Sequence, residues 1–466
     1  MKRSFADIMA GLDSERVQKV ARKLPAWAAV DGLEIPSALA LEQCSSSATA
    51  AYKAFLAGQA AAAARSGQLP PETSGCAGPL PSDDGPLPLT MPRVARFPGA
   101  VPASVPLATI LDLTGGLGVD SWALSQVAER VVYFERNEEL AAAAGRNFQR
   151  LGAGNIEVRC ETVTPQTALP EADLIYADPA RRDAAGRKVF LLEDCTPDIL
   201  TLLPMLLKKA PAVLLKLSPM ADLAMLSERL GPALREIHVV ECDGEVKEIL
   251  CLLLRDNVSP EPDILVARLN ASRGGILVHE ATGGHGFARA TSPDVPQKEE
   301  DVRFVFKVSE ERAAEAVYAA GVQPGDVLLE PCPALLKAGA FRLPCARWGL
   351  SKLAPSTHLY LLPGANPPSS APGNLFFPSP GAEMDSSAPG NRFFKAWRVV
   401  EVLPLGAAAF KTLRKSYPRA DVTARNLPLG SAELQKRLGV ASGGTVHIFG
   451  CRLADGTSVL LVTESA

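Results

Sequence analysis

"ILDLTGGLGVDSWALS", Ile110 to Ser125, sets glycines at 115, 116 and 118 behind an apolar run and ahead of a helix-like pattern. Glycine has no Cβ and adopts positive φ, so a strand ending this way can bring its backbone close to a ligand. Open α/β sheets bind ligands beyond the carboxyl ends of their strands, which is where this turn falls. Dinucleotides and S-adenosylmethionine both use such a turn, and a tight βα turn without any ligand has the same look. The dinucleotide pattern G-x-G-x-x-G would need glycine or alanine at 121, where Ser121 stands. Glu135, at the end of the next strand, suits a ribose in either class.

Outward from this turn, short β-rich runs alternate with helical stretches: "ATILDLT", "RVVYFE", "NIEVRC", "ADLIYAD" and "AVLLKLS". That alternation predicts a parallel sheet with crossover helices. "EIHVVEC" and "EILCLLL" are separated only by "DGEVK", too short for a crossover, and predict an antiparallel hairpin at one end of the sheet. The expected fold is α/β, a Rossmann-like sheet over 99–258.

Residues 1–66 read as an N-terminal helical segment, with one amphipathic run from Glu42 to Ala64, and 67–98 as a Pro/Gly-rich linker. Two small α+β domains are expected at 262–362 and 395–466, the first opening on the strand "DILVARL". Between them, 363–394 repeats "SSAPGNLFF" from Ser369 as "SSAPGNRFF" from Ser386, and reads as a duplicated, disordered insert. The last domain carries ten Lys/Arg against five Asp/Glu, +5 in a chain whose net charge is -3.

With 466 residues, 47% hydrophobic and 21% charged, the composition is that of a globular protein of about three domains. No apolar run reaches the ~18 residues of a membrane span, and the N-terminus lacks a signal-peptide pattern. Nine cysteines without a C-x-x-C pair fit reduced thiols in a cytoplasm, and the five scattered histidines offer no metal spacing.

The fourth strand carries the strongest chemical signal. "ADLIYADPARRDA" places Asp178-Pro179 directly after an apolar strand, at the same edge as the glycine turn. Nicotinamide enzymes have no particular need for Asp-Pro there, whereas amino-methyltransferases do: an acidic or amide side chain with a following Pro can accept a hydrogen bond from an exocyclic amine and aim its lone pair at the methyl group. An N-cap or turn role would also suit Asp-Pro.

"DLTGGLGVD", "YFERNEEL", "YADPARR" and "LLKLSPMADL" together resemble the class I S-adenosylmethionine-dependent methyltransferase family with a ferredoxin-like middle domain and a C-terminal THUMP-like domain. "LEQCSSSATAAYKA" (41–54), "LLEPCPALLKAGAF" (328–341) and "NLPLGSAELQKRLGV" (426–440) extend the resemblance to that family's helical, middle and terminal parts. It implies that Asp112, Thr114, Gly115, Gly116 and Gly118 line the methionine end of the cofactor. Glu135 and Arg136 would lie at the ribose, Glu161 and Thr162 near the adenine, and Asp178 between cofactor and acceptor. Asp178, Pro179, Arg181 and Arg182 would face the substrate.

Base-amine methyltransferases of nucleic acid usually follow Asn/Asp-Pro with Pro and an aromatic that stacks on a flipped base. This chain has Ala180-Arg181-Arg182, so an arginine would have to stack or hold a phosphate instead. Lys216, Ser218, Glu245, Lys247 and Glu248 near the strand ends, and Glu42, Gln43, Ser45, Ser46 and Lys53 on the helical segment, are weaker candidates, equally suited to surface or ion-pair roles. The resemblance implies methyl transfer from S-adenosylmethionine to tRNA or rRNA, with the basic THUMP-like domain on the RNA, in the cytoplasm, without metal or membrane. A catalytically silent RNA-binding factor, a small-molecule methyltransferase and, more distantly, a nicotinamide oxidoreductase stay open.

Overall fold

The computed structural model describes residues 21–66, 107–180, 195–269, 302–362 and 393–466. The chain divides into two compact units, Met1–Arg303 and Phe304–Ala466.

Among the described residues the first unit begins with α1 (Pro25–Ala28), α2 (Ala38–Gln43) and α3 (Ser47–Ser66). The sequence predicts one continuous run from Glu42 to Ala64, but the chain breaks at Cys44–Ser46. Hydroxyls cause the break: Thr49 N–H donates to Ser46 Oγ and Ser46 N–H to Thr49 Oγ1, a reciprocal cap that starts α3 afresh.

Then come β1 (Leu107–Asp112), α4 (Val119–Leu124), β2 (Ala128–Phe134), α5 (Glu138–Arg150), β3 (Ile156–Arg159), β4 (Leu174–Ala177), α6 (Ile199–Lys209), β5 (Ala212–Leu217), α7 (Leu223–Leu230), β6 (Leu234–Cys242), β7 (Glu245–Leu254) and β8 (Asp263–Leu269). Within this unit the strands lie in the order β3-β2-β1-β4-β5-β7-β6-β8. The first five are parallel, so their carboxyl ends share one edge. β7 runs antiparallel to both β5 and β6, which gives the expected hairpin. The hairpin is followed in the sheet by β8, the "DILVARL" strand expected to open the next domain, which pairs in parallel with β6. All four residues of β4 are buried, as are all of β5 but Lys216, because helices cover both faces of a parallel sheet. On one face Tyr52, Phe55 and Leu56 of α3 pack against Ile110, Leu174, Tyr176, Leu214 and Leu250. Burying one such side chain is worth roughly 1.5–3 kcal/mol, so α3 belongs to the core of the sheet domain.

β9 (Val302–Lys307) leads into the second unit, with α8 (Val308–Ala313), β10 (Val327–Pro331), α9 (Pro333–Ala338), α10 (Leu343–Trp348), β11 (Ser351–Ala354), β12 (Thr357–Leu361), β13 (Phe394–Pro404), α11 (Ala407–Ser416), β14 (Asp421–Arg425), α12 (Ser431–Leu438), β15 (Val446–Arg452) and β16 (Ser458–Ser465). The two expected α+β domains share one seven-stranded sheet, β11-β12-β10-β13-β16-β15-β14. Five residue pairs, Val327 with Arg398 through Pro331 with Phe394, join them across β10 and β13. The repeat-bearing insert 363–394 lies almost wholly outside the described residues. Among the described residues no helix is long and apolar enough to cross a membrane.

Candidate active site

The glycine turn connects β1 to α4, and its three glycines answer to different constraints. A Cβ on Gly115 would sit 2.0 Å from Tyr133 Cε2. One on Gly118 would sit 2.6 Å from Phe148 Cζ, and Gly118 also has φ +91°. Tyr133 and Phe148 meet edge to face beneath the turn, ring centroids 5.5 Å apart. Gly115 and Gly118 are therefore bare to admit the protein's own aromatic rings. Gly116 differs: φ is +54° and the only atom near a built Cβ is Thr114 O at 3.8 Å. Its outer side is the open one.

Side chains fix this turn from below. Tyr133 Oη donates to Gly116 O (2.6 Å), and Gly116 N–H donates to Glu135 Oε2 (2.9 Å). Glu135 Oε1 accepts from Asn137 N–H, which ties the end of β2 to the start of α5. Asp112 is buried, with Oδ1 accepting from Thr114 N–H and Oδ2 from Ser121 Oγ. Burial pushes its pKa up to about 7, against the pull of those two hydrogen bonds. Asp112 thus holds the turn in shape from within.

At the neighbouring strand end, Asp178 N–H donates to Thr114 Oγ1 (2.6 Å), which ties β4 to the turn. The Lys216 ammonium on β5 donates to Asp178 Oδ2. Behind this pair lies a chain of buried charge. Lys53 Nζ on α3 donates to Glu248 Oε1 (2.9 Å) and Oε2 (3.1 Å) on β7, and to Ser45 Oγ (3.1 Å). Asp120 on α4 accepts from Ser45 Oγ and Tyr176 Oη, both at 2.8 Å. Its Oδ1 lies 3.2 Å from Lys53 Nζ, an ion pair without hydrogen-bond alignment.

Burial would raise Asp120, but Lys53, Lys216 and the two hydroxyls outweigh it and hold its carboxyl below the usual range. Burial dominates at Glu248 and raises it, against the pull of Lys53 and Lys216. Burial would lower Lys216, but Asp178, Glu248 and Asp120 together hold its pKa above the ordinary value. Lys216 is a standing cation.

The structure brings Thr114, Gly115, Gly116, Gly118, Glu135 and Asp178 to the shared edge, with Pro179 buried beside it. Arg136, Glu161 and Thr162 are exposed at the ends of β2 and β3. Arg181 and Arg182 lie outside the described residues. Among the weaker candidates, Ser45, Lys53, Lys216 and Glu248 converge, and Asp120 and Tyr176 join them unforeseen. No spacing could announce a cluster drawn from six segments. The available signal was a lysine at the end of a wholly apolar strand, "AVLLKLS", where an unpaired charge could not be buried.

Residues 328–365 match the family model of a ferredoxin-like domain, and residues 394–465 that of a THUMP domain-like region. The sheet order with its antiparallel hairpin supplies the remaining part. The chain joins a class I methyltransferase fold to ferredoxin-like and THUMP-like domains. It is similar over 96% of its length, and over 88% of the other chain, to the crystal structure of a "putative methyltransferase" from Porphyromonas gingivalis W83, at 29% identity and a TM-score of 0.66. An rRNA methylase from Streptococcus thermophilus aligns with 32% of this chain and 88% of its own, at 14% identity and a TM-score of 0.25. A protein of the same description as the first, from Streptococcus mutans in complex with SAH, aligns with 32% of this chain and 89% of its own, at 13% identity and a TM-score of 0.26. No curated protein matches the chain significantly.

Proposed function

We propose that this chain is an S-adenosylmethionine-dependent methyltransferase acting on RNA, tRNA or rRNA, with the THUMP-like domain holding the RNA. The observation that carries the reading is the open side of Gly116 on a turn bonded to Glu135 at the end of β2 and, through Thr114, to Asp178 at the end of β4. These residues fit the cofactor. Glu135 keeps free lone pairs for ribose hydroxyls after accepting its two backbone N–H groups. Thr114 and Gly116 would take the methionine end, and an edge of carboxylates suits a cationic sulfonium. When bound, S-adenosylmethionine supplies an electrophilic methyl group. The chain's own residues then need only hold and orient the acceptor.

The RNA half of the reading is supported by the THUMP-like domain and by local charge. Lys411 and Lys415 are exposed one turn apart on α11, and Lys436 and Arg437 are exposed on the last turn of α12. Arg414 of α11 donates to Leu438 O and Arg437 O at the end of α12, which ties the two basic helices together. Such a face suits phosphate contacts.

Calorimetric titration with S-adenosylmethionine, S-adenosylhomocysteine and NAD tests the cofactor. Both adenosyl ligands are expected to bind, NAD is not, and Glu135→Gln is expected to weaken binding. NAD binding, or no effect of the substitution, would overturn the assignment.

A further inference from the structure

We propose that the acceptor at this edge is a hydroxyl, the ribose 2′-OH of RNA, held between Asp178 and Lys216. This rests on the reading above that the chain methylates RNA. The carrying observation is two ion pairs drawn from four elements, Lys216 of β5 with Asp178 after β4 and Lys53 of α3 with Glu248 of β7, brought side by side because β5 and β7 are paired strands with Lys216 opposite Leu250. Their exposure is graded. The Asp178 side chain is 37% exposed and that of Lys216 14%, whereas Glu248 is 3% and Lys53 0%. Only the first two can touch a substrate. Lys53 and Glu248 lie behind them as positioning residues.

A fixed ammonium beside the acceptor separates amine from hydroxyl chemistry. An amine nitrogen gains positive charge as the methyl arrives, and Lys216 would oppose that charge at close range. A hydroxyl oxygen must instead shed a proton, and negative charge grows on it as the proton leaves. A preorganised ammonium stabilises that charge, and a neighbouring carboxylate accepts the proton. The pair in contact at the strand ends, Asp178 with Lys216, supplies both functions. The sequence agrees: Pro179 is followed by Ala180-Arg181-Arg182, with no aromatic ring on which a flipped base would stack.

In bond terms, the acceptor O–H breaks and its proton passes to the Asp178 carboxylate. The oxygen's electron pair forms the new C–O bond while the methyl–sulfur bond breaks, leaving its pair on sulfur as a neutral thioether. Asp178 then releases the proton to water. Lys216 keeps its own proton throughout, as its charged neighbours require. Lys53, bound to both oxygens of Glu248, stops that carboxylate from drawing Lys216 away from Asp178.

The test uses the full chain, a tritiated methyl donor and total RNA from cells lacking the protein. Alkali cleaves RNA only where the 2′-OH is free, so 2′-O-methyl product should appear as labelled alkali-stable dinucleotides. Label in mononucleotides would place the methyl on a base and overturn the inference while sparing the proposed function. No label in any RNA, with the cofactor bound, would overturn that function and the inference with it. Lys216→Met should lower kcat by roughly 100-fold or more, with cofactor affinity by calorimetry within about twofold of the parent. Lys216→Arg, which keeps the cation, should recover much of the loss. An undiminished rate in Lys216→Met would refute the role given to the ammonium. Lys53→Met should lower kcat without raising KM for RNA, and a rise in KM alone would remove Lys53 from the positioning set.

Discussion

Replacing Gly115 by alanine separates the two jobs of the glycine turn. The added Cβ would lie 2.0, 2.3 and 2.4 Å from three ring carbons of Tyr133. That ring cannot swing away cheaply. It is fully buried, it packs on Phe148, and its hydroxyl is spent on Gly116 O. Overpacking typically costs about 1–3 kcal/mol, and losing the phenol–carbonyl hydrogen bond about 1 more, so roughly 2–4 kcal/mol is expected. Gly116→Ala is the counterpart. Its Cβ meets open space, so it carries only the left-handed backbone penalty, roughly 1–2 kcal/mol, yet its methyl points where the cofactor is proposed to lie. Amide hydrogen exchange over α4 and β2, read beside cofactor calorimetry, resolves the pair. Gly115→Ala should speed exchange strongly, and Gly116→Ala should chiefly weaken binding. If Gly115→Ala exchanges within about 0.5 kcal/mol of the parent, Tyr133 does not fill the space beneath the turn and the reasoning fails.

Three other outcomes follow from the same geometry. Lys53→Met strands the buried Glu248 carboxylate and should cost roughly 3–5 kcal/mol at pH 8, less as pH falls and Glu248 protonates; a melting point unchanged at pH 8 would sink this. Asp112, its pKa raised to about 7 by burial, binds a proton in the folded state before it does in the unfolded chain, so its contribution to stability falls as pH rises from about 4 to 7 and is flat above. Asp112→Asn should therefore gain stability relative to the parent at pH 8 and not at pH 4, and parallel melting curves at the two pH values would contradict it. Lys411→Ala with Lys415→Ala should flatten the salt dependence of RNA affinity by roughly one to two units of slope in filter binding, and an unchanged slope would take α11 off the RNA.

Much of the sheet was legible because periodicity and turn chemistry are local. The glycine turn, the parallel strands and the hairpin around Asp243-Gly244 each follow from a few adjacent residues. The break at Cys44–Ser46 was local too, but it hung on a side-chain cap that alanine-rich periodicity conceals. The pairing of β8 with β6 was not legible, since "DILVARL" is equally strand-like in either domain. The site divides in the same way. Asp178 and Glu135 announce themselves by position after a strand. Lys53, Asp120 and Glu248 become neighbours only through the packing of α3, α4 and β7, and burial alone turns ordinary surface residue types into a charge cluster. The reason for Gly115 and Gly118 lay in two aromatic rings 15 residues or more further along the chain, and no local reading of the turn could supply it.

The ladder between β10 and β13 bears on where the second unit can be cut. The ferredoxin-like match ends at 365 and the THUMP-like match begins at 394, which invites a cut between them. The paired backbone from Val327–Pro331 to Phe394–Arg398 makes that cut expensive. Either fragment would carry a raw strand edge, with unpaired N–H and C=O groups ready to seize another chain. Fragments split there should precipitate or dimerise edge to edge, whereas a piece that holds β10 and β13 together keeps every rung of the ladder. What looks in sequence like two exchangeable modules is, in hydrogen bonds, a single heirloom.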